Sequence, residues 1–142
     1  LARRTMHWGM EGNVTAVHGI SIACHPKEYR REVYKMSRDA GLSFISCPTA
    51  WIDSRRSENL TPTHNAITPV EEMIAHGLVV AIGSDNIHDV YKPYSTGEMS
   101  LELKFLLEAL HMYDQETLVD IATKNGRLVI GMEEFVNGES KT

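Results

Sequence analysis

Three short runs of apolar and β-branched residues constrain this fold most: VTAVHGISIA (14–23), LSFISCP (42–48) and LVVAIGSD (78–85). The first is rich in β-branched residues and suits a buried strand, the second reads as a short strand stopped by Pro48, and the third as a short apolar strand. Helical patterns separate them. PKEYRREVYKMSRDAG (26–41) reads as an amphipathic helix opened by Pro26 and closed by Gly41, with Tyr29, Val33, Met36 and Ala40 on its apolar face. TPVEEMIAHG (68–77) reads as a compact helix in which Thr68 is the cap, Pro69 sits in the first turn, and Glu71 and Glu72 favour the positive end. Strands that alternate with helices are joined by crossovers rather than hairpins, which makes the sheet parallel and the fold class α/β.

The remaining segments fill in around that rhythm. LARRTMHWGMEGN, at the start, has the look of a helix tail, with Leu1, Thr5 and Trp8 near helical spacing and Gly12 as a stop. Residues 49–66 are polar and aperiodic, long for a connection. GEMSLELKFLLEALHMY (97–113) predicts a long helix with Met99, Leu103, Leu106, Leu107 and Leu110 inward, and QETLVDIATKNGRLVIGM (115–132) a last one. EEFVNGESKT shows no element. Three strands make a meagre sheet for so much helix, so the expectation is a segment whose sheet is completed elsewhere.

Charge and composition exclude several classes. A net charge of −5 over 142 residues lacks the basic stripe that neutralises phosphates, and Arg30-Arg31 and Arg55-Arg56 read as solvated faces, so no nucleic-acid partner is expected. Apolar runs such as 77–83 are far too short to span a bilayer, and no secretory leader is expected. Cys24 and Cys47 lie outside any CxxC spacing and read as free thiols in a reducing, cytoplasmic setting.

In parallel β/α folds, the active-site groups gather at the C-terminal ends of the strands. His18 ends the first strand and Asp85 the third. Taken singly, His18 also fits a buried histidine bonded to backbone, and Asp85 a turn residue after Gly83-Ser84. Together they offer a carboxylate that can bind a divalent cation and accept a proton, beside an imidazole that can orient water. Metal binding lowers the pKa of water from 15.7 to roughly 7. Catalytic zinc takes three protein ligands. This chain has no HxH or HExxH, and His25, His64, His76 and His111 share no spacing and read as surface. GxGxxG, GxxxxGK[ST] and GxSxG are absent too.

VTAVHGISIA, together with AITPVEEMIAHGLVVAIGSDNIHDVYKPYSTGEM and the helix after it, resembles the amidohydrolase superfamily. The nearest branch is that of cytosine deaminase and isopropylammelide amidohydrolase. The resemblance runs from about Leu1 to about Met132 and is specific at Ser84-Asp85-Asn86-Ile87, Asp89, Pro93, Gly97 and His18. It implies a partial TIM (β/α)₈ barrel, roughly its sixth to eighth βα units plus C-terminal helices. All of 1–142 is then one segment from the C-terminal part of a metal-dependent hydrolase, without its β-sandwich subdomain.

The resemblance further implies that Asp85 is a metal ligand and proton shuttle, and that His18 polarises the attacking water. Asn86 and Tyr91 then face a small heterocyclic substrate, cytosine-like or triazine-like. Asn86 stands where a cytosine deaminase has an aspartate, Tyr91 near a tryptophan, and Val90 in place of a proline, which points away from cytosine itself. Asp89 is expected to brace the loop and His88 to face solvent. The implied cofactor is a divalent metal, zinc or iron, in the full-length parent, with this chain alone short of the complete ligand set.

Two other readings stay open: a catalytically incompetent structural fragment, and a small flavodoxin-like α/β binding module. An incomplete barrel would also bare one face of its sheet, either Val14, Ala16, Phe44, Ser46, Val80 and Ile82 or their alternates. That predicts a homo-oligomer.

Overall fold

The computed structural model describes residues 1–52 and 67–132. Most of the expected polar connection, including Arg55, Arg56 and His64, lies outside the described residues, as does the closing segment from 133 on.

The alternation becomes a small parallel sheet. Strands β1 (Thr15–Val17), β2 (Ser43–Ser46) and β3 (Val79–Ile82) lie side by side in sequence order. Ala16, Phe44 and Val80 share one rung, and Val17, Ile45 and Ala81 the next. Side chains alternate between the faces of a strand, so Ala16, Phe44, Ser46, Val80 and Ile82 point the same way. This is the covered face: Phe44, Ser46, Val80 and Ile82 are all buried. The alternates are barer, with Val17 53% and Val79 37% exposed.

The first strand is shorter than its sequence suggests. His18 and Gly19 both take positive φ, 68° and 71°, which turns the chain out of the sheet into a 3₁₀ turn at Ile20–Cys24. At the start of the chain, α1 (Ala2–His7) buries Ala2 and Thr5, while Leu1 and Trp8 are exposed and the helix stops before Gly12.

Helix α2 (Lys27–Asp39) buries Tyr34 and Ser37, with Ala40 beyond its end. The expected apolar face is thus corrected at Tyr29, which is 49% exposed. Tyr29 sits in the first turn on the flank of the buried stripe, its ring 4.6 Å from that of His25. Tyr34, five residues on, takes the core position. Helix α3 (Val70–Ala75) buries Val70 and Met73, and the Met73 and Phe44 side chains both lie beside Gly19. Thr68 does not cap α3, because its hydroxyl is used elsewhere.

A polar clamp joins α2 to α3. Arg30 donates from Nε and Nη2 to the two Glu72 oxygens at 2.9 and 2.6 Å, and the Tyr34 hydroxyl donates to Glu72 Oε2 at 2.9 Å. Burial and then the Glu72 carboxylate push the Tyr34 phenol above its ordinary range.

Helix α4 (Met99–Leu110) buries Leu106 and, unexpectedly, Glu102. The predicted final helix divides. Thr123, at φ −129° and ψ −78°, separates α5 (Gln115–Ala122) from α6 (Lys124–Val129). Asp114 caps α5 by accepting from the Thr117 amide at 3.0 Å.

Helix α6 comes back to the sheet. Asn125 Nδ2 donates to the Val80 carbonyl of edge strand β3 at 2.8 Å. The Thr15 hydroxyl donates to the Val129 carbonyl at 3.2 Å and receives one hydrogen bond from Ser43 Oγ at 2.9 Å. Among the described residues, no helix is long and apolar enough to cross a membrane.

Candidate active site

His18 and Asp85 meet at the C-terminal ends of β1 and β3. The ladder continues one step past each neighbouring strand end: the His18 amide donates to the Ile45 carbonyl at 2.8 Å, and the Gly83 amide to the Ser46 carbonyl at 2.9 Å. Beyond these points, His18 and Asp85 both adopt left-handed backbone, φ 68° and 58°. Their side chains converge, with His18 Nε2 4.0 Å from Asp85 Oδ1. The pair stays accessible, at 40% exposure for the His18 side chain and 20% for Asp85.

The backbone of His18 is pinned from behind. Trp51 Nε1 donates to Thr68 Oγ1 at 3.0 Å, and that hydroxyl donates to the His18 carbonyl at 2.9 Å. Trp51 and Thr68 are both buried, so this relay is shielded from water. His18 Nδ1 is buried and finds no partner among the described residues.

The other Asp85 oxygen belongs to a residue that the sequence does not single out. Lys92 Nζ donates to Asp85 Oδ2 at 2.8 Å, and only 10% of the Lys92 side chain is exposed. The same ammonium lies 3.5 Å from Thr49 Oγ1. Thr49 in turn donates to the buried Glu102 carboxylate from both its amide and its hydroxyl, each at 2.9 Å. The Lys92 ammonium is the leading reason that the Asp85 carboxyl is held below its ordinary range, with the Asn86 amide and His18 adding to it. Burial, followed by the Asp85 charge, pushes the Cys47 thiol up to about 11.

Asp89 organises the intervening loop. Its Oδ1 accepts from the amides of Tyr91 and Lys92 at 2.9 and 2.8 Å, and its Oδ2 accepts from Asn86 Nδ2. This is an Asx-type turn, which carries the chain back so that Lys92 faces Asp85. His88 is exposed, with Nδ1 3.1 Å from the Pro93 carbonyl. Asn86 is half-buried and engaged by Asp89, while Tyr91 stands in solvent at 85% exposure. The structure therefore brings His18 and Asp85 together and leaves Asn86 and Tyr91 on the loop around them. Sequence reasoning misses Lys92, Thr49 and Glu102. The only local signal is a lysine seven residues after an aspartate, with a turn-forming Asp89 between them.

A carboxylate beside an imidazole is suitable donor chemistry for a divalent cation. Their number is short of a site. Among the described residues, no three His, Cys, Asp or Glu side chains gather where they could hold a metal ion, whereas catalytic zinc takes three protein ligands.

Comparison with known proteins converges on one family. A family model described as "Amidohydrolase family" matches residues 1–136. N-isopropylammelide isopropyl amidohydrolase of Pseudomonas sp. (strain ADP) is 28% identical over 137 residues, covering 94% of this chain and 31% of that protein. An uncharacterized protein of Haemophilus influenzae is 54% identical over 74 residues, 52% of this chain and 27% of its own length. The crystal structure of 5-methylcytosine deaminase from Klebsiella pneumoniae liganded with 5-fluorocytosine superposes with a TM-score of 0.82 at 26% identity, over 94% of this chain and 33% of that one. The chain spans between about a quarter and a third of the length of these relatives.

Proposed function

This chain belongs to the amidohydrolase family, and on that premise we propose that it contributes one wall of the active site of a hydrolase that cleaves C–N bonds of a small heterocyclic substrate. The observation that carries the reading is the convergence of Asp85 Oδ1 and His18 Nε2, 4.0 Å apart, at the C-terminal ends of parallel strands. In this reading β1, β2 and β3 act as the sixth to eighth strands of a (β/α)₈ barrel. Coverage of about a third of these relatives supports that reading, as does the parallel order β1-β2-β3.

In this reading each residue has a role. Asp85 would hold a divalent cation together with ligands beyond the described residues. When bound, such a cation supplies the Lewis acidity that makes water nucleophilic near neutral pH. Asp85, kept ionised by its surroundings, takes the proton of the attacking water and returns it to the departing amine. His18 stands on the same side and stabilises charge that develops on the attacked centre. Asn86 and Tyr91, on the loop beside Asp85, contact the ring. The barer face of the sheet, with Val17 and Val79, is covered by the rest of the barrel or by a second copy.

The test is amine or ammonia release from a panel of amino-pyrimidine, aminotriazine and pterin substrates by the protein carrying this segment, with divalent metal present. Wild-type protein should turn over at least one of these rings. Asp85→Asn should reduce kcat to background. Activity retained in Asp85→Asn, or no release from any ring by the wild type, refutes the reading.

A further inference from the structure

The two oxygens of Asp85 have different neighbours, and the difference is built by residues far apart in sequence. Oδ1 faces His18, while Oδ2 is taken by Lys92. Lys92 is itself held at both ends. Its amide donates to Asp89 Oδ1 at 2.8 Å, and its ammonium sits between Asp85 and Thr49, which is anchored by two hydrogen bonds to the buried Glu102. A long flexible side chain on a surface loop normally keeps its rotamer freedom and its water. Here the ammonium is withdrawn from solvent and aimed at one carboxylate oxygen.

We propose that Lys92 is a positioning residue for Asp85: it claims Oδ2, fixes the carboxylate rotamer, and leaves Oδ1 as the oxygen presented to the reacting side next to His18. The catalytic part of this inference rests on the function proposed above; the structural part does not. Glu102 and Thr49 extend the same device, since their contacts set where the ammonium lies. A carboxylate free to rotate would offer either oxygen at varying angles. Outer partners that orient a reactive carboxylate are worth about 10–100-fold in activity or metal affinity.

Two measurements test it. In the 142-residue chain labelled with ¹⁵N-lysine and ¹³C-aspartate, a scalar coupling across the hydrogen bond should link Lys92 Nζ to Asp85 Cγ. The Asp85 χ1 couplings should report one rotamer in wild type, averaging in Lys92→Met, and return of the single rotamer in Lys92→Arg. No coupling, or an unchanged Asp85 rotamer in Lys92→Met, overturns the proposal. Should Lys92→Met fail to fold, the wild-type coupling and the Lys92→Arg rotamer decide. In the protein that releases amine, Lys92→Met should lower kcat about tenfold with KM changed less than about twofold, with partial recovery in Lys92→Arg. Lys104→Met, on the exposed side of α4, should leave both constants unchanged. A Lys92→Met enzyme that matches Lys104→Met also overturns it. Failure of turnover in wild type would sink the proposed function, while the coupling and rotamer measurements still decide on Lys92.

Discussion

Replacing Glu72 should loosen the helix layer that carries the site, by an amount that the contacts allow to be worked out. The carboxylate accepts two hydrogen bonds from Arg30 and one from Tyr34, whose side chain is fully buried. A hydrogen bond to a charged group is worth about 1.5–3 kcal/mol, and a buried hydroxyl left without a partner costs about 1–3 kcal/mol. Side-chain exposure of 18% for Arg30 and 30% for Glu72 screens the ion pair in part, so the lower half of each range applies. Glu72→Ala should therefore cost about 3 kcal/mol, and Glu72→Gln, which keeps an acceptor for Tyr34, about 1 kcal/mol. With a urea slope of about 2 kcal/mol/M, the alanine variant should melt about 1.5 M earlier by far-UV circular dichroism.

The acid limb gives an independent check. Arg30 first, then Tyr34, holds the Glu72 carboxyl below its ordinary 4.5. A depressed folded pKa contributes stability that is complete above the unfolded value and is lost as pH falls through the folded one. The midpoint gap between wild type and Glu72→Gln should thus be constant above about pH 4.5 and shrink below it. An alanine variant within about 0.3 M of wild type, or a gap that widens in acid, would refute the assignment of this clamp.

Two further outcomes follow from the packing. Gly41 has φ +61°, and a Cβ at that position would lie 2.7 Å from the Gly12 amide nitrogen, whereas a Cβ on Gly131, at φ +73°, would meet nothing within 4 Å. Gly131→Ala should cost about 1 kcal/mol of left-handed strain and Gly41→Ala at least about twice that, compared by thermal melting; equal losses would contradict the Gly12 contact. Cys47 is buried with its thiol pushed up to about 11, so iodoacetamide at pH 8 should label Cys24 well before Cys47 in the native chain, as read by peptide mass spectrometry. Equal labelling rates would refute the burial.

The parts of the fold that depend on local periodicity can be read from the chain. Short apolar runs mark all three strands, and the alternation with helices implies their parallel pairing. His18 and Asp85 stand out because strand ends are where such folds collect polar groups. What stays hidden depends on contacts between distant residues or on small angular choices. Helical spacing puts Tyr29 on the apolar side of α2, yet Tyr34, five residues on, is the tyrosine that enters the core. Thr68 looks like a helix cap because that is the local use of its hydroxyl, yet Trp51 and the His18 carbonyl compete for it across the fold. Glu102 lies among leucines on α4, and Lys104, two residues on, is on the exposed side of the helix. Its donors are on Thr49, 53 residues earlier.

The bond from Thr15 to the Val129 carbonyl spans 114 residues and has a consequence for the order in which the molecule is made. Each strand can pair with its predecessor as soon as one βα unit has been synthesised, because β1 meets β2 and β2 meets β3 in chain order. The start of β1, in contrast, waits for α6, so among these elements its bond to Val129 forms only after β3 has been made. Closing so long a loop costs only slightly more entropy than closing one half its length, about 0.6 kcal/mol per doubling. The delay is therefore in time rather than in stability. During that interval the Val80 carbonyl of β3 waits for its Asn125 donor as well.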